Sequence, residues 1–194
     1  MDNERKIKRQ SNFLSNLFKT PSEKSELSNL LLSMQPFKDL NSKELDQLYC
    51  IMHDRVYAQS EYVFYQGDPS IALYIVFEGE IELISAFDSS RKLVISKYFK
   101  GDFFGELALL EDEKRIASAM AVKDSKLLVI FKPDLDEFID KFPKKGIKLL
   151  KGLSQIFATR LRNLNKEYIN LYFKNGKEME VADGISNKKN PGAG

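Results

Sequence analysis

The chain has 194 residues, with 30 basic and 28 acidic side chains, one histidine and one cysteine. That length fits one domain with terminal extensions, and a net charge of +2 argues against a bulk-charge nucleic-acid binder while leaving room for a local patch. A lone Cys50 excludes a disulfide framework and thiolate-ligated metals, and a lone His53 leaves too few imidazoles for a His-rich metal site or a His-based catalyst. No metal-ligating set and no catalytic set is therefore expected. No apolar run approaches the ~18 residues of a membrane span. The opening MDNERKIKRQSNF lacks the apolar core of a secretory signal. The expectation is a soluble, cytoplasmic protein that is not an enzyme.

Residues 1–25 read as a basic, polar extension. Phe13, Leu14, Leu17 and Phe18 sit at helical spacing among Arg5, Lys6, Lys8, Arg9 and Lys19. Such a stripe suits a short docking helix or frayed tail, or a weak membrane-surface or partner-binding helix. Thr20-Pro21 ends it, because the residue before proline disfavours helix. Residues 26–54 read as helical. Leu27, Leu30, Leu31 and Met34 share one face before Pro36, and Asn41 with Glu44 forms a capping box for a second helix carrying Leu45, Leu48, Tyr49 and Met52. Cys50 and His53 are expected there as a small core residue and a helix-end histidine.

From residue 55 the period changes. Val56-Tyr57, Tyr62–Tyr65, Ala72–Phe77, Ile81–Ala86, Lys92–Tyr98, Ile116–Val122 and Lys126–Phe131 are short runs rich in β-branched and aromatic residues. Turn signals at Gln66–Pro69, Glu78-Gly79, Asp88–Ser90 and Lys100–Asp102 separate them. The series predicts a mainly β fold with flanking helices: an eight-stranded double-stranded β-helix, or jelly roll, with N-terminal helices and a long C-terminal helix. Residues 133–174 return to helix, with a short one carrying Leu135, Phe138 and Ile139 and a long one from about Lys145 to Phe173. Leu150, Leu153, Phe157, Leu161, Leu164, Tyr168 and Leu171 recur at spacings of three and four. That seam either drives a homodimer or lays the helix on the barrel, and both uses are compatible. The domain is thus expected over 26–174 and a disordered tail over 175–194.

The chemistry concentrates between Gly101 and Ala119. Gly105 lets the backbone approach a ligand closely. Glu106-Leu107-Ala108-Leu109 can form one helical turn with free N–H groups, which favours an anion. Arg115 follows nine residues after Glu106 and can grip a phosphate with two parallel hydrogen bonds. The Glu106 carboxylate accepts only, which suits a ribose 2′-hydroxyl. Together these describe a pocket for a compact ribose phosphate. The run Glu111-Asp112-Glu113 reads as a solvated loop.

This stretch resembles the phosphate-binding cassette of the cyclic nucleotide-binding domain family, the type found in catabolite activators and protein kinase A regulatory subunits. Phe104-Gly105-Glu106-Leu107-Ala108-Leu109 and Arg115 carry the likeness, supported by Pro36-Phe37, Gly67-Asp68, Leu73–Val76 with Gly79, and Gly101-Asp102. The resemblance implies that Glu106 accepts from the ribose and that Arg115 binds the cyclic phosphate. It further implies a cradle of amides from Leu107, Ala108, Ile116 and Ala117, with Ile95 and Ser96 lining the base and Leu164 and Asn165 on the long helix covering it. The ligand would be cyclic AMP, with cyclic GMP as the alternative, because Ile116 stands where some relatives carry a hydroxyl. No DNA-binding domain is evident after the long helix, so the resemblance implies a stand-alone sensor or one whose output is an unidentified protein partner. A scaffold of the same fold that has lost its ligand remains the competing reading.

Overall fold

The computed structural model describes residues 20–86 and 92–186, with side chains only as far as 174 in the last helix. Phe13, Leu14, Leu17 and Phe18, and the turn at Asp88–Ser90, lie outside the described residues. The chain divides into two compact units, one ending at Gly152 and the other beginning at Leu153.

Thr20-Pro21 starts a helix. α1 runs over Pro21–Ser33, with Thr20 as N-cap, Pro21 in the first turn and a reciprocal bond from the Thr20 N–H to Glu23 at 2.8 Å. Proline suits that position, since its missing N–H would have no helical partner. α2 (Ser42–Tyr49) opens with the capping box read from the sequence: the Glu44 N–H donates to Asn41 Oδ1 at 3.0 Å and the Asn41 N–H donates to Glu44 Oε2 at 2.9 Å. The helical reading to residue 54 is too long. β1 begins at Met52, so His53 is a strand residue whose Nε2 lies 2.8 Å from Asp134 Oδ2, and Cys50 is exposed at the helix end rather than in the core.

The strands are β1 (Met52–Tyr57), β2 (Tyr62–Phe64), β3 (Ala72–Ala86), β4 (Lys92–Phe99), β5 (Phe103–Phe104) and β6 (Ser118–Phe131), all paired antiparallel in a jelly roll. Among the described residues there are six strands, because β3 and β6 each merge two runs read separately from the sequence. Glu78-Gly79 is a bulge and not a turn. Gly79 takes φ 103°, and the β3–β6 register shifts on either side of it. A Cβ there would sit 2.1 Å from Ser125 Oγ, so the two long strands cross at a point that only glycine fits. Alternation does the rest. Tyr74, Val76, Ile81, Ala121, Leu127 and Val129 fill the inside of the roll with Phe64 and Phe104. Leu73, Ile75, Leu128 and Ile130 are equally buried on the opposite face, so these strand segments are covered on both sides.

α3 (Lys132–Lys141) buries Leu135 and Phe138, and α4 runs over Pro143–Ser186. Within the first unit, the start of α4 is tied down by Lys148, whose Nζ donates to Glu44 at 2.8 Å, and by Gly152, where a Cβ would meet Pro36 Cα at 2.6 Å. In the second unit Leu153 is buried, whereas Leu161, Leu164, Tyr168 and Leu171 are 59%, 62%, 68% and 60% exposed. The helix continues past Phe173 through part of the segment read as a tail; residues 187–194 lie outside the described residues.

Candidate functional site

β5 ends at Phe104, and the backbone then turns through Gly105 at φ 76°, ψ 17° into a 3-10 turn over Glu106–Leu109. That left-handed conformation is what glycine supplies cheaply. A Cβ on Gly105 would also lie 2.7 Å from Arg115 Nη1 and 3.0 Å from the Ala72 carbonyl oxygen. The turn buries Ala108 and Leu109 as its anchor and carries Glu106 inward, where the carboxylate residue is 7% exposed.

Arg115 is held from the other side. Its N–H donates to the Asp68 carbonyl and its own carbonyl accepts from the Gly67 N–H, each at 2.8 Å. The Asp68 carboxylate in turn accepts from the Tyr65 N–H at 2.7 Å, which fixes the turn that clamps Arg115. The side chain enters the roll and is 6% exposed. Nη2 donates to the Ala72 carbonyl at 2.7 Å and Nη1 to the Gly105 carbonyl at 3.3 Å. The guanidinium carbon lies 4.2 Å from the centroid of the Phe64 ring and 5.6 Å from that of Tyr74. Nε has no hydrogen-bond partner among the described residues. Burial pulls the guanidinium below its ordinary range, and Tyr74 and Glu106 beside it push the other way. Burial likewise pushes the Tyr74 phenol up, against the pull of the Arg115 charge. A nearly dry cation with an unused donor is costly to leave alone, and an anion placed beside it meets a weakly screened charge.

Both residues open onto a cavity of about 230 Å³. Of the residues singled out from the sequence, Gly105, Glu106, Leu107, Arg115, Ile116, Ala117, Ile95 and Ser96 line it. Ile95 and Ser96 are sequence neighbours and a regular strand would point them to opposite faces. They share the cavity because the β3–β4 register passes from Leu83 opposite Ser96 to Ile84 opposite Val94, leaving Ile95 as the extra residue of a bulge. Ala108 is not in the lining; it is fully buried and its N–H donates to the Gly105 carbonyl at 3.2 Å. Asn165 is exposed on the helix of the second unit. Sequence reasoning missed Phe64, Tyr98 and Lys114, which also line the cavity. Alternation from Tyr62 would have placed Phe64 on an inner face, and the adjacency of Lys114 to Arg115 was visible. Glu111 joins the lining, while Asp112 reaches Lys132 at 2.6 Å.

A larger cavity of about 450 Å³ lies between α2 and α3, lined by Cys50, His53 and Asp134 among others. Its histidine is already paired with Asp134, and no cluster of metal-ligating side chains occurs among the described residues. The smaller cavity is the one that holds a buried, underused cation.

A jelly roll whose inner cavity presents one buried arginine and one buried carboxylate at a left-handed glycine turn defines a β-roll domain with a charged internal pocket. The comparisons with known proteins give that class its family. The family described as cyclic nucleotide-binding domain matches residues 54–142. The Cyclic AMP receptor protein of Thermus thermophilus is 32% identical over 141 residues, 73% of this chain and 63% of that one. The cAMP-dependent protein kinase regulatory subunit of Emericella nidulans is 37% identical over 98 residues, 50% of this chain and 22% of that one. The crystal structure of Thermus thermophilus catabolite activator protein superposes with a TM-score of 0.65 at 32% identity, covering 72% of this chain and 63% of that one. The chain belongs over this stretch to the cyclic nucleotide-binding domain family, and the domain is of the regulatory type that those relatives carry. It spans less than two thirds of the length of these curated relatives.

Proposed function

We propose that the cavity binds cyclic AMP in preference to cyclic GMP and that the chain is a sensor of that ligand. The observation that carries this reading is Arg115: nine-tenths buried, lining the cavity, and with Nε left without a partner among the described residues. An anionic phosphate supplies the missing acceptor. Glu106, buried on the same wall, suits the ribose 2′-hydroxyl, since a carboxylate offers only acceptors. Leu107, Ile116 and Ala117 line the same cavity, which supports a cradle in which their amides would meet the phosphate, and Ile95 and Ser96, also in the lining, would face the base. Ile116 has no hydroxyl with which to meet guanine, and the names of the two curated relatives both refer to cyclic AMP. Charge-assisted bonds contribute about 1.5–3 kcal/mol each. A bidentate arginine, a glutamate and two or three amides therefore reach the roughly −8 kcal/mol of a micromolar ligand. Binding then acts by shifting an existing equilibrium of the domain.

The output surface is the exposed seam Leu161, Leu164, Tyr168 and Leu171, spaced three, four and three as in a coiled coil. It pairs two copies of the chain or meets a protein partner. No helix among the described residues is long and apolar enough to cross a membrane.

Calorimetric titration with cyclic AMP, cyclic GMP and 2′-deoxy cyclic AMP tests the reading. Cyclic AMP is expected to bind tightest, with the 2′-deoxy compound weakened by roughly tenfold or more for loss of its charged acceptor contact. Absence of binding by all three contradicts it and leaves a ligand-free scaffold.

A further inference from the structure

The cation of the cavity is unusual in what lies beneath it. The Arg115 guanidinium carbon is 4.2 Å from the Phe64 ring centroid, close enough for the ring to hold the plane of the group and desolvate one side of it. Phe64 belongs to an aromatic cluster, with Tyr74 at 5.5 Å and Phe104 at 6.0 Å between centroids, and Tyr74 stacks on Phe104 at 5.2 Å. The platform is therefore itself fixed by packing. Two carbonyls, of Ala72 and Gly105, take one hydrogen bond from each terminal nitrogen. These contacts leave Nε without a hydrogen-bond partner among the described residues while holding the side chain inside the roll.

Resting on the reading that the cavity takes a cyclic nucleotide, we infer that Phe64 is a positioning residue for the phosphate: its ring holds Arg115 in the anion-ready orientation before ligand arrives. Ordering a long cationic side chain on binding costs affinity, and a chain already ordered avoids that cost. Lys cannot reproduce the effect, because an ammonium has no plane to stack and no fork to aim. The opposite role is physically distinct. If the ring and the carbonyls hold Arg115 back from the ligand, removing the ring strengthens binding.

A double-mutant cycle separates these roles from mere packing. Cyclic AMP dissociation constants are measured for the full chain, Phe64→Leu, Arg115→Lys and the double variant, each checked for native-like thermal unfolding. Phe64→Leu is expected to weaken binding roughly three- to thirtyfold in the Arg115 background and less than about twofold in the Lys background. Phe64→Tyr, which returns a ring, is expected to recover most of the affinity and keeps the inference open to refutation where Phe64→Leu folds poorly. Equal losses in both backgrounds, tighter binding by Phe64→Leu, or a Phe64→Tyr variant as weak as the leucine one each overturn the inference while leaving nucleotide binding intact. An unmodified chain that binds no cyclic nucleotide overturns both.

Discussion

Gly105→Ala perturbs the site through its backbone alone. At φ 76° an L-residue meets a strain of about 1–2 kcal/mol, partly offset by about 0.4–1 kcal/mol from a stiffer unfolded chain. The added Cβ also falls 2.7 Å from Arg115 Nη1 and 3.0 Å from the Ala72 carbonyl oxygen. The carbonyl belongs to β3 and cannot retreat, so the guanidinium must move and weaken its 2.7 Å bond to that oxygen. Losing a charge-assisted bond in a dry site costs about 1.5–3 kcal/mol. The sum is about 2–4 kcal/mol of stability, or roughly 5–15 °C in Tm for a chain of this size. Gly67→Ala is the control: it carries the same kind of positive φ, 91°, with no atom within 4 Å of its Cβ. Urea and thermal unfolding followed by circular dichroism should place Gly105→Ala below Gly67→Ala by about 1.5–3 kcal/mol, with a parallel loss of nucleotide affinity. Variants of equal stability would show that Arg115 is not pinned where the distances put it.

Other consequences are directly measurable. Burial pushes the Tyr57 phenol up to about 12, so its neutral form stabilises the fold below pH ~10 and the contribution is lost as pH rises from about 10 to 12. Urea unfolding at pH 8 and pH 11.5 should show Tyr57→Phe losing about 1–2 kcal/mol less than the unmodified chain over that interval; an identical loss refutes the assignment. The hydrogen bond from Lys148, and then that from the Asn41 N–H, lowers the Glu44 carboxyl below its ordinary 4.5. Its contribution is thus present above that pH and fades as pH falls below it. Glu44→Gln should cost about 0.5–1.5 kcal/mol at pH 7 and close to nothing at pH 3, and a deficit that persists in acid contradicts this. Leu164→Asp should turn any dimer seen by analytical ultracentrifugation into monomer while leaving cyclic AMP affinity within about threefold. A dimer that survives the charge places the interface elsewhere.

The half of the cavity around Gly105, Glu106 and Arg115 was legible because its requirements are local. Gly105, Glu106 and Arg115 are identified by backbone freedom, charge and spacing, and the β-bridge between Pro69 and Lys114 brings Arg115 back to the turn. What was not legible depends on pairing between distant segments. Ile95 and Ser96 share a cavity only because a bulge in β4 breaks the alternation, and the sequence of β4 alone does not reveal it. Glu78-Gly79 has the composition of a turn, yet Ser125 arriving from β6 makes it a bulge within one strand. In the sequence Phe64 is one more core aromatic, and its place under a guanidinium arises only when β2 pairs beside the start of β6. The local pattern favours helix at Cys50 and His53 because Met52 continues the stripe of α2; pairing of Met52 with Ile130 on β6 outweighs it.

Arg115, buried and with an unused Nε donor among the described residues, is the group proposed to take the phosphate of a cyclic nucleotide. Calorimetric titration of the unmodified chain and of Arg115→Ala with cyclic AMP tests it most directly. Loss of a bidentate charged contact should weaken binding by about 3–6 kcal/mol, at least a hundredfold. An Arg115→Ala variant that binds cyclic AMP as tightly as the unmodified chain would show that Arg115 does not hold the phosphate.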